Sequence, residues 1–585
     1  MIGENAKRVL EARYLRRDSD GRIAETPAQL FERVARAVAE AELINGTASD
    51  AMYWEERFHR MLTALDFLPN SPTLMNAGTP LSQLSACFVL PIEDSMESIF
   101  GTLRDAALIQ RTGGGTGFSF SHLRPAGDPI ASTGGTSSGP VSFMKIYDCA
   151  TENIKLGGRR RGANMGVLRV DHPDIEEFIK AKRDGVGLRN FNISVGATDE
   201  FLSAVESGGD LALRHPTDAR VVRSVPARRL FDDICEAAWA TGDPGMIFLD
   251  TIARTNPLPS CGVIEATNPC GELPLLPYES CNLGSINLVH FVNEREGNPS
   301  VDFERLRTQV EEGVRFLDDV ISVNRFPIAA IGQVTLSSRK IGLGVMGFAE
   351  LCILLGISYA SDRAILLADQ LMEFIAREAR LASARLAEQR GVFPNWSAST
   401  YRASGLRLRN ATQTSIAPTG TISIIAGTSS SIEPLFALAY RRKHVLGEQT
   451  LAEINPLVLR HLARLGQDTA KLMNSIASTG FLDLGGETKN LFRTALEIPP
   501  EQHVRVQAAF QKHVDNAVSK TVNLPAEASP REIATVYMLA YRLGCKGVTV
   551  FRYGSKSEPM LELGLGETPE EREHFTKCDP EACRL

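Results

Sequence analysis

The residue types with the most chemistry in them are concentrated in one stretch, Thr267-Asn268-Pro269-Cys270-Gly271-Glu272-Leu273-Pro274, followed by Cys281-Asn282-Leu283-Gly284-Ser285-Ile286-Asn287-Leu288. An amide, a thiol and a carboxyl alternate at Asn268, Cys270 and Glu272, and in an extended segment alternate side chains share one face. Prolines and glycines around them restrict the backbone. An ordinary buried strand would carry valine, isoleucine or leucine there. A structural zinc site and a pair of core cysteines are the competing readings. Cys270 and Cys281 lack the Cys-x-x-Cys spacing that structural zinc favours, which counts against the metal.

Other stretches carry possible chemistry with an ordinary alternative beside it. Cys87, within Leu84-Ser85-Ala86-Cys87-Phe88-Val89-Leu90, reads on burial statistics as a core cysteine of a buried strand. Ala417-Pro418-Thr419-Gly420-Thr421-Ile422-Ser423 is either a plain turn or a helix start whose N–H groups cradle a diphosphate. Gly113-Gly114-Gly115-Thr116-Gly117 lacks the Gly-Lys-Ser/Thr of a Walker loop. Arg159, Arg160 and Arg161 lie between glycines, where a phosphate or base contact is a better reading than a solvated face. Near the C-terminus, Cys578 and Cys583 sit on a polar arm, suited to passing electrons by thiol–disulfide exchange.

In chain order, Asn70-Ser71-Pro72-Thr73-Leu74, Ser85-Ala86-Cys87, Gly158-Arg159-Arg160-Arg161-Gly162-Ala163-Asn164, the Cys270 stretch and Ala417-Pro418-Thr419-Gly420-Thr421 form an ordered set. From about Leu68 to Tyr553 the chain resembles the ribonucleotide reductase large subunits, in the form of the adenosylcobalamin-dependent class. The resemblance implies that Cys270 carries a thiyl radical that takes the 3′ hydrogen atom of a ribonucleoside diphosphate. Glu272 is then the general base for the 3′-hydroxyl, and Asn268 holds the sugar. It implies a redox-active disulfide Cys87–Cys281, whose Cα atoms must come within roughly 7 Å, with Cys578 and Cys583 re-reducing it. A thioredoxin-like or glutaredoxin-like protein is the expected external reductant.

Substrate contacts carried over from the family fall on Ser71, Ala86, Cys87, Gly115, Asn268, Pro269, Cys270, Gly271 and Glu272, with the diphosphate at Pro418, Thr419, Gly420, Thr421 and Ile422. Asp94, Arg159, Arg160 and Arg161 are the expected contacts for a deoxynucleoside triphosphate or ATP effector, with Ala131 where the family carries an arginine. That site lies at a dimer interface in the family, so a homodimer is expected.

The class that draws its radical from a separate subunit carries a Tyr-Tyr pair where this chain has Thr549-Val550-Phe551-Arg552, and Lys546-Gly547-Val548-Thr549-Val550 looks like the cobalamin class. Adenosylcobalamin is therefore the expected cofactor. The Asp-x-His-x-x-Gly box is absent, as in reductases of this class, which keep the cofactor's own base on cobalt. Two rival readings are a large subunit that needs a radical-generating partner, and a nucleotide-binding regulator without chemistry.

These residues need a large scaffold. The chain has 585 residues, 43% of them hydrophobic, enough for an extensive core. A formal charge of -7 gives no electrostatic reason for nucleic-acid binding. Ten cysteines are too sparse for a disulfide scaffold. The charged start, Met1-Ile2-Gly3-Glu4-Asn5-Ala6-Lys7-Arg8, is unlike a secretory leader, and a cytoplasmic protein is expected.

Thr26-Pro27 opens a helical run with Leu30, Phe31, Val34, Val38 and Ala41 on one stripe, so residues 1–66 are expected as a small helical domain. They are too few for the additional regulatory ATP cone found in some relatives, so overall activity control by that route is not expected. From 67 to 554, short apolar runs alternate with glycine-rich turns and helices expected at 303–322, 362–390, 501–518 and 530–543, an α/β pattern. The resemblance makes this a ten-stranded α/β barrel, with the Cys270 segment as a finger loop through its centre. Residues 555–585 read as a flexible redox tail.

Overall fold

A computed structural model of the protein describes residues 2–130, 134–156, 160–183, 185, 187–295, 298–446, 449–464, 475–481, 486–555 and 561–564. Cys578, Cys583, Arg159 and Ala131 lie outside these residues. Near the N-terminus, helices Glu4–Arg13, Pro27–Ala39 and Ala48–Thr63 are set by local signals. Thr26 with Gln29 and Thr47 with Asp50 form capping boxes at the second and third. The stripe Leu30, Phe31, Val34 and Val38 is fully buried. It shares one apolar cluster with Phe67, Phe316 and Ile375, so the helices pack onto the outer helices Phe303–Val323 and Asp362–Arg390. Glu42 spans the same interface with ion pairs to Arg315 at 2.6 Å and Arg390 at 2.7 Å.

The centre is a ten-stranded sheet. Cys87–Leu90, Gly115–Ser119, Asn164–Arg169, Phe191–Ala197 and Gly245–Phe248 run parallel in that order. Gly245–Phe248 then pairs antiparallel with Gly547–Arg552, which runs parallel to Thr521–Leu524. Parallel bridges from Val518 to Ile416 and from Thr414 to Leu343 lead on to Ile341–Met346, which runs parallel to Ser280–Asn287. The last strand meets Cys87–Leu90 antiparallel and closes the ring. Phe67–Pro69 extends the edge beside it. Two parallel halves thus meet head to tail. All eight residues of Ser280–Asn287 are buried, as expected for a strand covered on both faces.

One helix is shorter than its periodicity suggests. The expected 501–518 run ends at Gln511. The chain beyond is drawn into the wall: Asp515 Oδ2 accepts the N–H groups of Gln413 and Thr414, and Ala517 O accepts the Ile416 N–H. Backbone pairing there overrides the helical spacing of the apolar residues.

Within the ring, strands Ala266–Thr267 and Pro274–Leu275 form a small hairpin that packs against Gly115–Ser119 and Asn164–Arg169. The contact requires glycine. A Cβ on Gly117 would lie 1.8 Å from the Thr267 carbonyl oxygen, and one on Gly115 would lie 2.9 Å from Pro269 Cγ. Gly117→Ala is expected to push the hairpin off the wall, with a stability loss of at least ~2 kcal/mol and activity falling with it. Thermal melting and turnover of the purified variant check this. Among the described residues no helix is long and apolar enough to cross a membrane.

Candidate functional site

The tip of the hairpin is a tight turn where alternation had suggested an extended segment. Pro269 fixes φ in the turn, Gly271 adopts φ +82°, and the Gly271 N–H donates to Asn268 O at 3.0 Å. Cys270 is therefore carried out at the tip and exposed, while Asn268 and Glu272 are buried at the base. Asn268 staples the turn through Oδ1, which accepts the Leu273 N–H at 3.0 Å. Its Nδ2 donates to Cys87 Sγ at 3.0 Å. The Glu272 carbonyl accepts both Ser415 Oγ and the Ala517 N–H at 2.9 Å, tying the finger to the opposite wall.

Cys87 and Cys281 are directly opposite in the antiparallel ladder. Such partners have Cα atoms about 4.5–5.5 Å apart, within the reach of a disulfide. Both are unlinked thiols here, in an apolar cluster with Val89, Met165, Val167 and Leu283. Burial raises both thiols well above the ordinary range, and the Glu272 charge pushes Cys87 the same way. Burial also lifts the Glu272 carboxyl to about 7, against a smaller downward pull from the Asn268 amide, and Glu272 Oε2 has no hydrogen-bond partner.

Cys270, Pro269 and Gly271 open on a cavity of about 1310 Å³, also lined by Pro418, Ser423 and Thr428. Thr419 takes φ +55° in the turn that starts helix Ile422–Ala426, and Gly420 is exposed. First-turn N–H groups of a helix lack intrahelical acceptors, which leaves those of Thr421 and Ile422 suited to an anion. That helix packs against Phe67–Pro69, next to Ser71. The Ser71 hydroxyl is 2.8 Å from Tyr14 Oη. Gly115 joins the group through its contact with Pro269, and its N–H donates to Ala86 O at 2.8 Å.

The expected effector residues are elsewhere. Asp94 Oδ2 pairs with Arg124 Nε at 2.7 Å. Arg160–Arg161 pairs antiparallel with Lys155–Leu156 in a two-stranded hairpin.

Two features escaped the sequence reading. Asn192, in a strand otherwise buried, lines the cavity, and its Nδ2 donates to Pro269 O at 2.8 Å, steadying the turn. A lone asparagine among apolar strand residues was the available signal. The other is helix Glu4–Arg13, which packs on Ile422–Ala426 and lines the cavity through Asn5 and Ala6. Its amphipathic pattern reveals a packing face but not a partner.

Comparison with known proteins bears on this arrangement. Residues 1–82 match the ribonucleotide reductase all-alpha domain, and residues 85–409 and 403–551 match the ribonucleotide reductase barrel domain. A vitamin B12-dependent ribonucleoside-diphosphate reductase of Mycobacterium tuberculosis is 53% identical, across 94% of this chain and 80% of that protein. One of Thermoplasma acidophilum is 48% identical, across 97% of this chain and 81% of its own. Among solved structures, the class Id ribonucleotide reductase alpha subunit of Actinobacillus ureae superposes with a TM-score of 0.76 at 23% identity, covering 94% of this chain and 97% of that one.

Proposed function

Because the chain belongs to the ribonucleotide reductase large-chain family, we propose that it reduces ribonucleoside diphosphates to 2′-deoxyribonucleoside diphosphates with adenosylcobalamin as its cofactor. One observation carries the reading: an exposed thiol at the tip of a pinned turn opens into a large cavity, with a buried carboxyl and a facing thiol pair behind it. A cavity of about 1310 Å³ exceeds the ~300–1,000 Å³ of an ordinary ligand site, so it has room for more than a nucleotide. Its apolar wall, with Met246, Ile247, Leu435, Phe436 and Val548, suits a broad, largely apolar ring.

When bound, the cofactor supplies the one-electron step that removes the hydrogen atom from the Cys270 thiol. Cys270 then takes the 3′ hydrogen atom of the substrate and returns it to the same carbon once the 2′ position has been reduced. Glu272, ionised above about pH 7, accepts the 3′-hydroxyl proton, and its unpartnered Oε2 has the capacity to do so. Cys87 and Cys281 supply two electrons and become a disulfide as the 2′-hydroxyl leaves as water. The turn at Pro418–Ile422 holds the diphosphate, with Ser71, Ala86 and Gly115 along the sugar. The Asn268 amide, engaged with Cys87 and the turn, fixes thiol and base relative to one another. A thiyl radical lasts only where bulk water is excluded, so substrate and cofactor filling the cavity would have to cover the exposed Cys270 thiol.

The same reading assigns re-reduction to Cys578 and Cys583, served by a thioredoxin-like or glutaredoxin-like protein. It assigns specificity control to a nucleoside triphosphate at Asp94 and the arginines 159–161, in a homodimer. The purified chain, given CDP, adenosylcobalamin and dithiothreitol, is expected to form dCDP without another protein. Activity that appears only on adding a second subunit would sink this assignment. Cys578→Ser/Cys583→Ser is expected to keep turnover with dithiothreitol and lose at least ~10-fold with a thioredoxin-like donor.

A further inference from the structure

Behind the facing thiols lies a buried ion pair that the reaction above does not use. Lys340 Nζ is 2.6 Å from Glu279 Oε2, and each side chain is 1% exposed. Glu279 Oε2 also accepts the Leu276 N–H at 2.8 Å, while Oε1 has no hydrogen-bond partner. Burying two charges is costly, and an apolar pair of the same size would stabilise the fold as well or better. Their location suggests another use.

Lys340 immediately precedes Ile341–Met346, which runs parallel to Ser280–Asn287 with Ile341 facing Asn282. Stepping back one residue on each strand sets Lys340 beside Cys281. The two sulfurs of the pair therefore have different surroundings. At Cys281 burial opposes the thiolate most, and the Lys340 cation is the strongest influence favouring it, ahead of Glu279 and Glu272 each taken singly, which oppose it. At Cys87 burial opposes the thiolate most, the Glu272 carboxylate opposes it further, and the neutral Asn268 amide favours it. Cys87 is also the more accessible, at 6% exposure against 0% for Cys281.

We propose that the Lys340–Glu279 pair sets the direction of thiol exchange: an incoming dithiol attacks Sγ of Cys87, and Sγ of Cys281 leaves as the thiolate beside Lys340. The inference rests on Cys87 and Cys281 being the redox pair. The attacking thiolate forms a mixed disulfide with Cys87 as the Cys87–Cys281 bond breaks, its electron pair passing to Cys281. The second thiol of the dithiol then attacks the mixed disulfide and releases Cys87. Two electrons and two protons pass to the buried pair, and the dithiol becomes a disulfide. A more stable leaving thiolate speeds the first exchange. Lys340 does not line the cavity and acts as a positioning residue.

The test uses the full chain, oxidised by turnover on CDP with adenosylcobalamin and no reductant. Brief exposure to 2-mercaptoethanol and quenching with excess N-ethylmaleimide precede peptide mass spectrometry. The mercaptoethanol adduct is expected on Cys87 and the maleimide on Cys281, favoured at least ~10-fold over the reverse. Equal or reversed labelling overturns the proposal. Finding no Cys87–Cys281 disulfide after turnover overturns the redox-pair reading itself, and the inference falls with it. The paired variant Lys340→Gln/Glu279→Gln removes both charges together, so neither is left buried alone. It is expected to lose the labelling bias and to be re-reduced by dithiothreitol about 10-fold more slowly. Unchanged bias and rate in that variant would overturn the role of Lys340.

Discussion

Cys270→Ser is expected to reduce dCDP formation from CDP by more than ~10⁴-fold, a barrier increase of at least about 5 kcal/mol, with the fold intact. The thiol is exposed at the tip of a turn whose shape is set by Pro269, Gly271 and the Asn268 staple, so a smaller hydroxyl leaves no cavity in a packed core. What changes is the strength of the bond to hydrogen. An S–H bond is close in strength to the activated 3′ C–H bond of a ribose, so a hydrogen atom passes between them in either direction. An O–H bond is far stronger, and a serine oxygen at this position has no accessible route to a radical. Product chromatography at high enzyme concentration, with thermal melting alongside, measures both halves of the expectation. Activity above about 1% of the parent with an unchanged melt would remove the thiyl from the mechanism. A nucleotide-binding regulator would be indifferent to the substitution.

How far the sequence reached depended on the range of the interactions involved. The N-terminal helices were legible because Thr26-Pro27 and the Leu30, Phe31, Val34, Val38 stripe are local signals. The ten-stranded barrel came from resemblance to a family, since period and turns do not encode which strand lies beside which. The helix expected to run to 518 stopped at Gln511 because the segment after it pairs with Thr414 and Ile416, about a hundred residues away. The Asn268, Cys270, Glu272 alternation is visible in the sequence, but alternation alone predicts an extended segment where the chain makes a tight turn. The turn depends on Gly271 at positive φ and on a hydrogen bond across the loop, neither of which spacing reveals. In sequence Gly117 is one of a glycine-rich run, and the need for it lies in the Thr267 carbonyl packed against it, a contact no local pattern encodes. Asn192 and Lys340 act across strands, so their partners are fixed by register alone.

Glu272→Gln is expected to lower turnover by about 10²–10⁴-fold and to make the protein more stable at alkaline pH. The carboxyl is 2% exposed, and burial raises its pKa from 4.5 to about 7. The folded state thus holds this proton more tightly than the unfolded chain. The associated stability is fully present below about pH 4.5 and is lost as pH rises through about 7. At 1.36 kcal/mol per pKa unit, the shift corresponds to about 3 kcal/mol of penalty for holding the ionised form. Glutamine keeps the shape and carries no charge, so it avoids that penalty. The melting temperatures of parent and variant should coincide below about pH 4.5, diverge as the pH rises from there to about 7, and stay apart above it, with the variant higher. Catalysis requires the opposite protonation state, since only ionised Glu272 can accept the 3′-hydroxyl proton. Parent turnover should therefore rise with pH through about 7, and the variant's residual rate should lack that limb. The same carboxylate would weaken the fold in the pH range where it works. A melting difference independent of pH, or a parent profile flat across pH 6–8, would show that Glu272 is not the base.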